Sequence, residues 1–219
     1  MRSTLVASLT LVTALTSLAA AEQRFAQPPP SSAPRVAAAD LDYAPVVDRT
    51  KVRAKLAANR AANLDRFRAY QAKGVFPSNT YQDGQLNVWL DEDGNFCAAA
   101  TIIRMSGGVA LTDKVAEQDN FIKLGDVTQG PVMSWILTSG FTQGEIAAIQ
   151  EPFRPVFNEP EPHQPRIVDN GLRKTEDARL RAKYKVVEAA IVKNMNASLD
   201  AATDRLMKNP KLAAAFLAG

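Results

Sequence analysis

The sequence predicts an α+β fold: a small antiparallel β-hairpin packed against several helices, helix-rich, with a long C-terminal helix. Three observations predict it. The stretch from Leu86 to Ile103, LNVWLDEDGNFCAAATII, sets two apolar runs around an acidic turn bearing Gly94 and Asn95, the pattern of a hairpin. The stretches from Asp48 to Lys73 and from Thr175 to Lys208 place apolar residues every three or four positions between capping and stopping residues, as helices do. With 219 residues, 46% of them hydrophobic, the chain is long enough for one domain with its own core.

Taken in order, residues 1–21 read as a signal peptide. Arg2, an apolar run from Leu5 to Leu18 and the small residues Ala19, Ala20 and Ala21 give a charged start, a short greasy middle and a cleavage site, so the protein is expected to be exported, periplasmic or extracellular. The run is short for a membrane span, and no later stretch is apolar enough to cross a bilayer, so no transmembrane segment is expected in the mature chain. Residues 22–47, with Pro28, Pro29, Pro30, Ser31, Ser32 and Pro34, read as a Pro/Ala-rich disordered linker ahead of a single domain at 48–219.

Asp48 caps a helix that Gly74 stops, with Val52, Leu56, Leu64, Phe67 and Tyr70 as its apolar stripe. In the hairpin that follows, a three-residue loop with Gly94 left-handed pairs Leu90 with Phe96, Val88 with Ala98 and Leu86 with Ala100; a two-residue Asp93-Gly94 turn pairs Leu90 with Cys97 instead. Thr112 is placed to cap a helix to Leu124, and Pro131 fits the first turn of the next. Thr142 and Glu145 form a capping box. Five of the 13 prolines lie from Glu151 to Pro165, which reads as an extended segment on the surface. The long helix then runs from Thr175 to about Lys208, and Asn209-Pro210 opens a short terminal one.

Charge is segregated. From Asp48 to Gly74 there are eight basic and two acidic residues, net +6; from Val75 to Gly171 five and thirteen, net −8; from Leu172 onward ten and five, net +5. Basic helices therefore either offset the acidic middle or meet an anionic cell-envelope polymer or membrane surface.

The segment from Val132 to Ile149, VMSWILTSGFTQGEIAAI, resembles the paired helices of helix-turn-helix DNA-binding proteins. The resemblance implies two helices around a glycine turn. Its second helix carries no basic residue, Pro152 and Pro155 stand where a further helix would follow, and export removes the chain from DNA, so we read an αα-hairpin and no nucleic-acid partner.

Candidate chemistry is sparse. Asp91, Asp93 and Asn95 alternate as in a calcium loop, but Gly94 and Ile102 occupy the wrong positions for one, and one His with one Cys is too few for a zinc site, so neither metal nor cofactor is expected. Cys97 as nucleophile with His163 as base would make a thiol hydrolase; that reading requires Cys97 at a helix start, where the dipole lowers its pKa. Asn79, Tyr81, Asn87 and Trp89 are the polar and aromatic residues nearest the hairpin's second face, a candidate ligand-binding surface. The sequence thus leads to an exported, non-enzymatic binding or structural module, with the Cys97–His163 hydrolase as the alternative.

Overall fold

Asp48 starts the helix on which the rest is assembled. The computed structural model describes residues 45–158 and 166–219; the expected signal segment, residues 22–44 of the expected linker, and His163 lie outside the described residues. The Asp48 side chain accepts from the amides of Thr50 at 2.9 Å and Lys51 at 3.2 Å and opens α1 (Arg49–Lys73), which Gly74 closes at φ 65°. Glycine takes that left-handed conformation without the Cβ penalty other residues meet. The buried face of α1 touches two clusters in succession. Val52 and Leu56 join Leu199, Leu206 and Ala213, whereas Leu64, Phe67 and Tyr70 join Phe76, Trp89, Ile102 and Tyr184.

The expected hairpin does not form, and the described residues hold isolated bridges rather than a sheet, so the α+β assignment gives way to an all-helical one. What exists of the ribbon is the turn: Gly94 sits at φ 82°, Leu90 bridges Phe96, and the Cys97 amide reaches Trp89 O at 2.9 Å. Beyond Cys97 the chain enters α2 (Ala98–Met105), with Ala98, Ala99, Ala100, Ile102 and Ile103 all buried. The physical reason lies in that burial. A short apolar run enclosed on every side carries no alternation to separate strand from helix, and three alanines in its first turn favour helix. Enclosing Ile102 and Ile103 contributes roughly 1.5–3 kcal/mol each in either conformation.

Two further boundaries differ from expectation. Gly107, at φ 97°, turns the chain early, so α3 (Val109–Gln118) begins after Gly108. Thr112 lies inside its first turn, donating from Oγ1 back to Val109 O at 2.7 Å instead of capping. Residues 119–129 are a loop, not helix; Gln150 pins it by accepting from Leu124 N at 2.8 Å and donating to Ile122 O at 2.7 Å. The αα-hairpin is α4 (Gly130–Thr138) and α5 (Gln143–Ile149), the second with both halves of the Thr142–Glu145 capping box in place.

The long C-terminal helix is likewise two. Asp169 caps α6 (Asn170–Lys193) several residues before Thr175, and Asn194 at φ −94°, ψ 13° separates it from α7 (Met195–Met207). With the break there, Tyr184 and Val187 of α6 face the main core, and Leu199, Ala202 and Leu206 of α7 face the first half of α1. Asn209 then caps α8 (Pro210–Ala218), which packs on α1 and α7.

Candidate functional site

The residues expected to form a recognition surface do not share one. Asn79 is fully buried and its amide is spent internally, donating to Gly84 O at 2.9 Å and Phe153 O at 3.3 Å while accepting from the amides of Tyr81 and Gln82. Trp89 is also fully buried, with Nε1 donating to Thr112 O at 3.0 Å. Tyr81 and Asn87 remain half-buried, Tyr81 packing edge-on to Phe121 with centroids 5.1 Å apart. Two of the four are thus core, because a large indole and a fully bonded amide stabilise the loop ahead of α2 from within.

Cys97 does stand at a helix start. It is the N-cap of α2, and its Sγ accepts from Ala100 N at 3.5 Å. The position is nevertheless sealed. Burial pushes the thiol up to about 12, outweighing the backbone N–H groups that lower it. At pH 7 that leaves a thiolate fraction on the order of 10⁻⁵. Asp91, the first residue of the calcium-like pattern, is buried and spends its carboxylate on the amides of Ser78, Asp93 and Asn95, which fixes the turn. Among the described residues no three His, Cys, Asp or Glu side chains gather as a metal cage, and no helix is long and apolar enough to cross a membrane.

The basic face of α1 divides into two sets. Arg49 pairs with Asp204 at 2.7 Å, Arg53 with Asp200 at 2.6 Å, and Arg68 with Glu188 at 2.7 Å, all three acids lying on α6 or α7. Arg60 is buried and grips Glu145 with both nitrogens at 2.6 and 2.9 Å, also donating to Gly140 O and Ile191 O. On α6, Arg179 holds Glu176 at 2.7 Å and Glu151 at 2.5 Å. Planar guanidinium forks suit such bidentate, partly buried pairing. These arginines fasten helices together.

Lys55 and Arg66 belong to the second set. Neither has a carboxylate within ion-pair distance among the described residues; Lys55 Nζ sits 5.1 Å above the Phe216 ring, and Arg66 Nη1 donates to Asn63 Oδ1 at 2.7 Å. Both line a groove of about 420 Å³ between α1, α4 and α8, whose wall also holds the half-buried Trp135 and Gly219 at the end of α8 and, among the described residues, no acidic side chain. Asn59 and Asn63 form its base, donating to Thr138 O at 2.8 Å and Ser139 O at 2.9 Å at the end of α4. Trp135 is oriented by Ser106, which also lines the groove and whose Oγ accepts from its Nε1 at 2.9 Å.

A recess of about 380 Å³ between the end of α1 and α2 also holds two cations, Lys73 and Arg104. There Arg104 is already engaged by Asp113 and stacked 4.3 Å from Phe96. The two cations of the α1–α4–α8 groove are the less engaged pair, although the C-terminal ends of α4 and α8 also line that groove.

Lys55, Asn59, Asn63 and Arg66 form an i, i+4, i+8, i+11 row on α1, which the adjoining apolar stripe masks in the sequence. Comparison with protein families, with curated proteins and with solved structures finds no match to this chain.

Proposed function

We propose that the protein is an exported, non-enzymatic binding module that holds anionic cell-envelope polymer on the basic face of α1. One observation carries the reading: Lys55 and Arg66 line a groove with no acidic side chain among the described residues, while Arg49, Arg53, Arg60 and Arg68 are spent on carboxylates of the chain itself. The neutral, enclosed thiol of Cys97 supports a non-enzymatic role, and Arg2 with the apolar run from Leu5 to Leu18 supports export.

Retention of the full chain on dextran sulfate, on neutral dextran and on phosphatidylglycerol vesicles tests it. The expected result is salt-sensitive retention on dextran sulfate alone, weakened at least about tenfold by Lys55→Ala with Arg66→Ala. Equal retention on neutral dextran, binding untouched by the double substitution, or binding to vesicles without binding to polymer each overturns the assignment.

A further inference from the structure

The groove is more than a patch of positive charge. Lys55 and Arg66 are eleven residues apart on one helix, so their Cα atoms are roughly 16 Å apart along the axis at 1.5 Å per residue, longer than a single sugar ring. Between them the wall alternates apolar rings with polar groups: Phe216 beneath Lys55, Trp135 opposite, and the amides of Asn59 and Asn63 along the floor. Asn59 gives its Nδ2 to Thr138 O, which leaves its Oδ1 to accept from a ligand hydroxyl. Lipid tails call for an uninterrupted apolar lining, and a bare phosphate chain has no use for an indole. A sugar ring has both requirements, with C–H groups on its faces and hydroxyls around its rim.

Trp135 is built to serve as that surface. Its Nε1 is tied to Ser106 Oγ, and Ser106 in turn donates to Ile103 O at 2.8 Å in the last turn of α2, so the indole is fixed before any ligand arrives. Arg66 is likewise steered by Asn63 through Nη1, leaving the rest of its fork for a carboxylate. Resting on the reading of this groove given above, we propose that it selects a carboxylate-bearing oligosaccharide, one sugar ring lying on Trp135 and the acid groups meeting Lys55 and Arg66.

The chain has two tryptophans, and only Trp135 is open to the groove, Trp89 being fully enclosed; tryptophan emission therefore reports the site directly. Full-length chain is titrated with tetragalacturonate, with the neutral tetrasaccharide maltotetraose and with tripolyphosphate. Tetragalacturonate is expected to shift the emission saturably and the other two to bind at least about tenfold more weakly. By calorimetry, Trp135→Leu is expected to lose the saccharide and Trp135→Phe to keep part of it, with unchanged Trp89 emission showing that both variants are folded. Tripolyphosphate binding as tightly as the saccharide, with both variants unaffected, shows a site that reads charge alone and overturns this inference while leaving polyanion binding intact. Binding of maltotetraose as tight as that of the acid overturns it also, and binding of no anion by the native chain removes the reading beneath it.

Discussion

Arg60 and Glu145 meet in a fork of two hydrogen bonds, 2.6 and 2.9 Å long, that ties α1 to the capping box of α5. Burial alone would raise the Glu145 carboxyl, but the guanidinium and the Thr142 amide outweigh it and hold the group below its ordinary 4.5. A carboxyl with a depressed folded-state pKa stabilises the fold above its ordinary value and ceases to do so as pH falls through the folded value. Glu145→Gln is therefore expected to lower the melting temperature at pH 7, and its difference from the native chain to shrink as pH drops from about 5 to about 3. Arg60→Ala, which strands Glu145 and two carbonyls, is expected to cost roughly 3–5 kcal/mol at neutral pH. Urea titrations of the three proteins across this range check both; a pH-independent difference would contradict the pairing.

Gly140 presses on α1 from the end of α4. A Cβ there would stand 2.2 Å from Leu56 O and 2.7 Å from Arg60 N, at a φ of 84°. Gly140→Ala is expected to lose several kcal/mol, beyond the roughly 1–2 kcal/mol that left-handed backbone costs an L residue. Gly84→Ala is the control, since φ is 80° and open space surrounds its Cβ position, so only the backbone cost of roughly 1–2 kcal/mol is expected. Equal urea midpoints for the two variants would show that α1 and α4 do not approach as described.

Among the described residues the buried hydroxyls of Tyr70 and Tyr184 lie near each other but have no partner in good hydrogen-bond geometry, while their rings pack edge-on with centroids 5.8 Å apart. Removing a polar atom that has lost water and gained nothing restores its desolvation cost. Tyr70→Phe and Tyr184→Phe are each expected to leave stability unchanged or raise it by up to about 1 kcal/mol. A loss of more than that in either variant would reveal a bond these hydroxyls do make.

Cys97 offers a chemical test of burial. Its thiol is expected to resist a thiol-specific disulfide reagent at pH 8 in the native chain and to react stoichiometrically in denaturant, because both enclosure and a pKa near 12 withhold the thiolate. Rapid labelling of folded protein would return Cys97 to the list of reactive groups.

How far the sequence discloses this molecule depends on how local the determining interaction is. The caps at Asp48, Thr142 and Asn209 and the stop at Gly74 act within a few residues and are legible as written. The segment from Ala98 to Ile103 is not, because enclosure by α1, α3 and α5 decides between strand and helix there, and that enclosure is supplied from far along the chain. Asn194 divides the last long helix without any proline or glycine to announce it. At the candidate site, Asn79 and Trp89 have residue types that suit either recognition or a sealed interior, and only packing tells them apart. The separation of arginines that fasten helices from the Lys55–Arg66 row depends on acids between 85 and 155 positions away, beyond the reach of any local pattern.

The division of labour along α1 is tested most directly by comparing two double variants, Lys55→Ala with Arg66→Ala and Arg49→Ala with Arg53→Ala, for dextran sulfate affinity and thermal stability side by side. Both remove two positive charges from the same helix. The groove pair is expected to lose at least about tenfold in affinity with little change in melting temperature, since neither cation holds an ion pair among the described residues; the Arg49–Arg53 pair is expected to keep its affinity and to lower the melting temperature slightly with the loss of its contacts to Asp204 and Asp200. Equal losses of affinity in the two variants would mean that net charge rather than the groove binds the polymer, and would contradict the account.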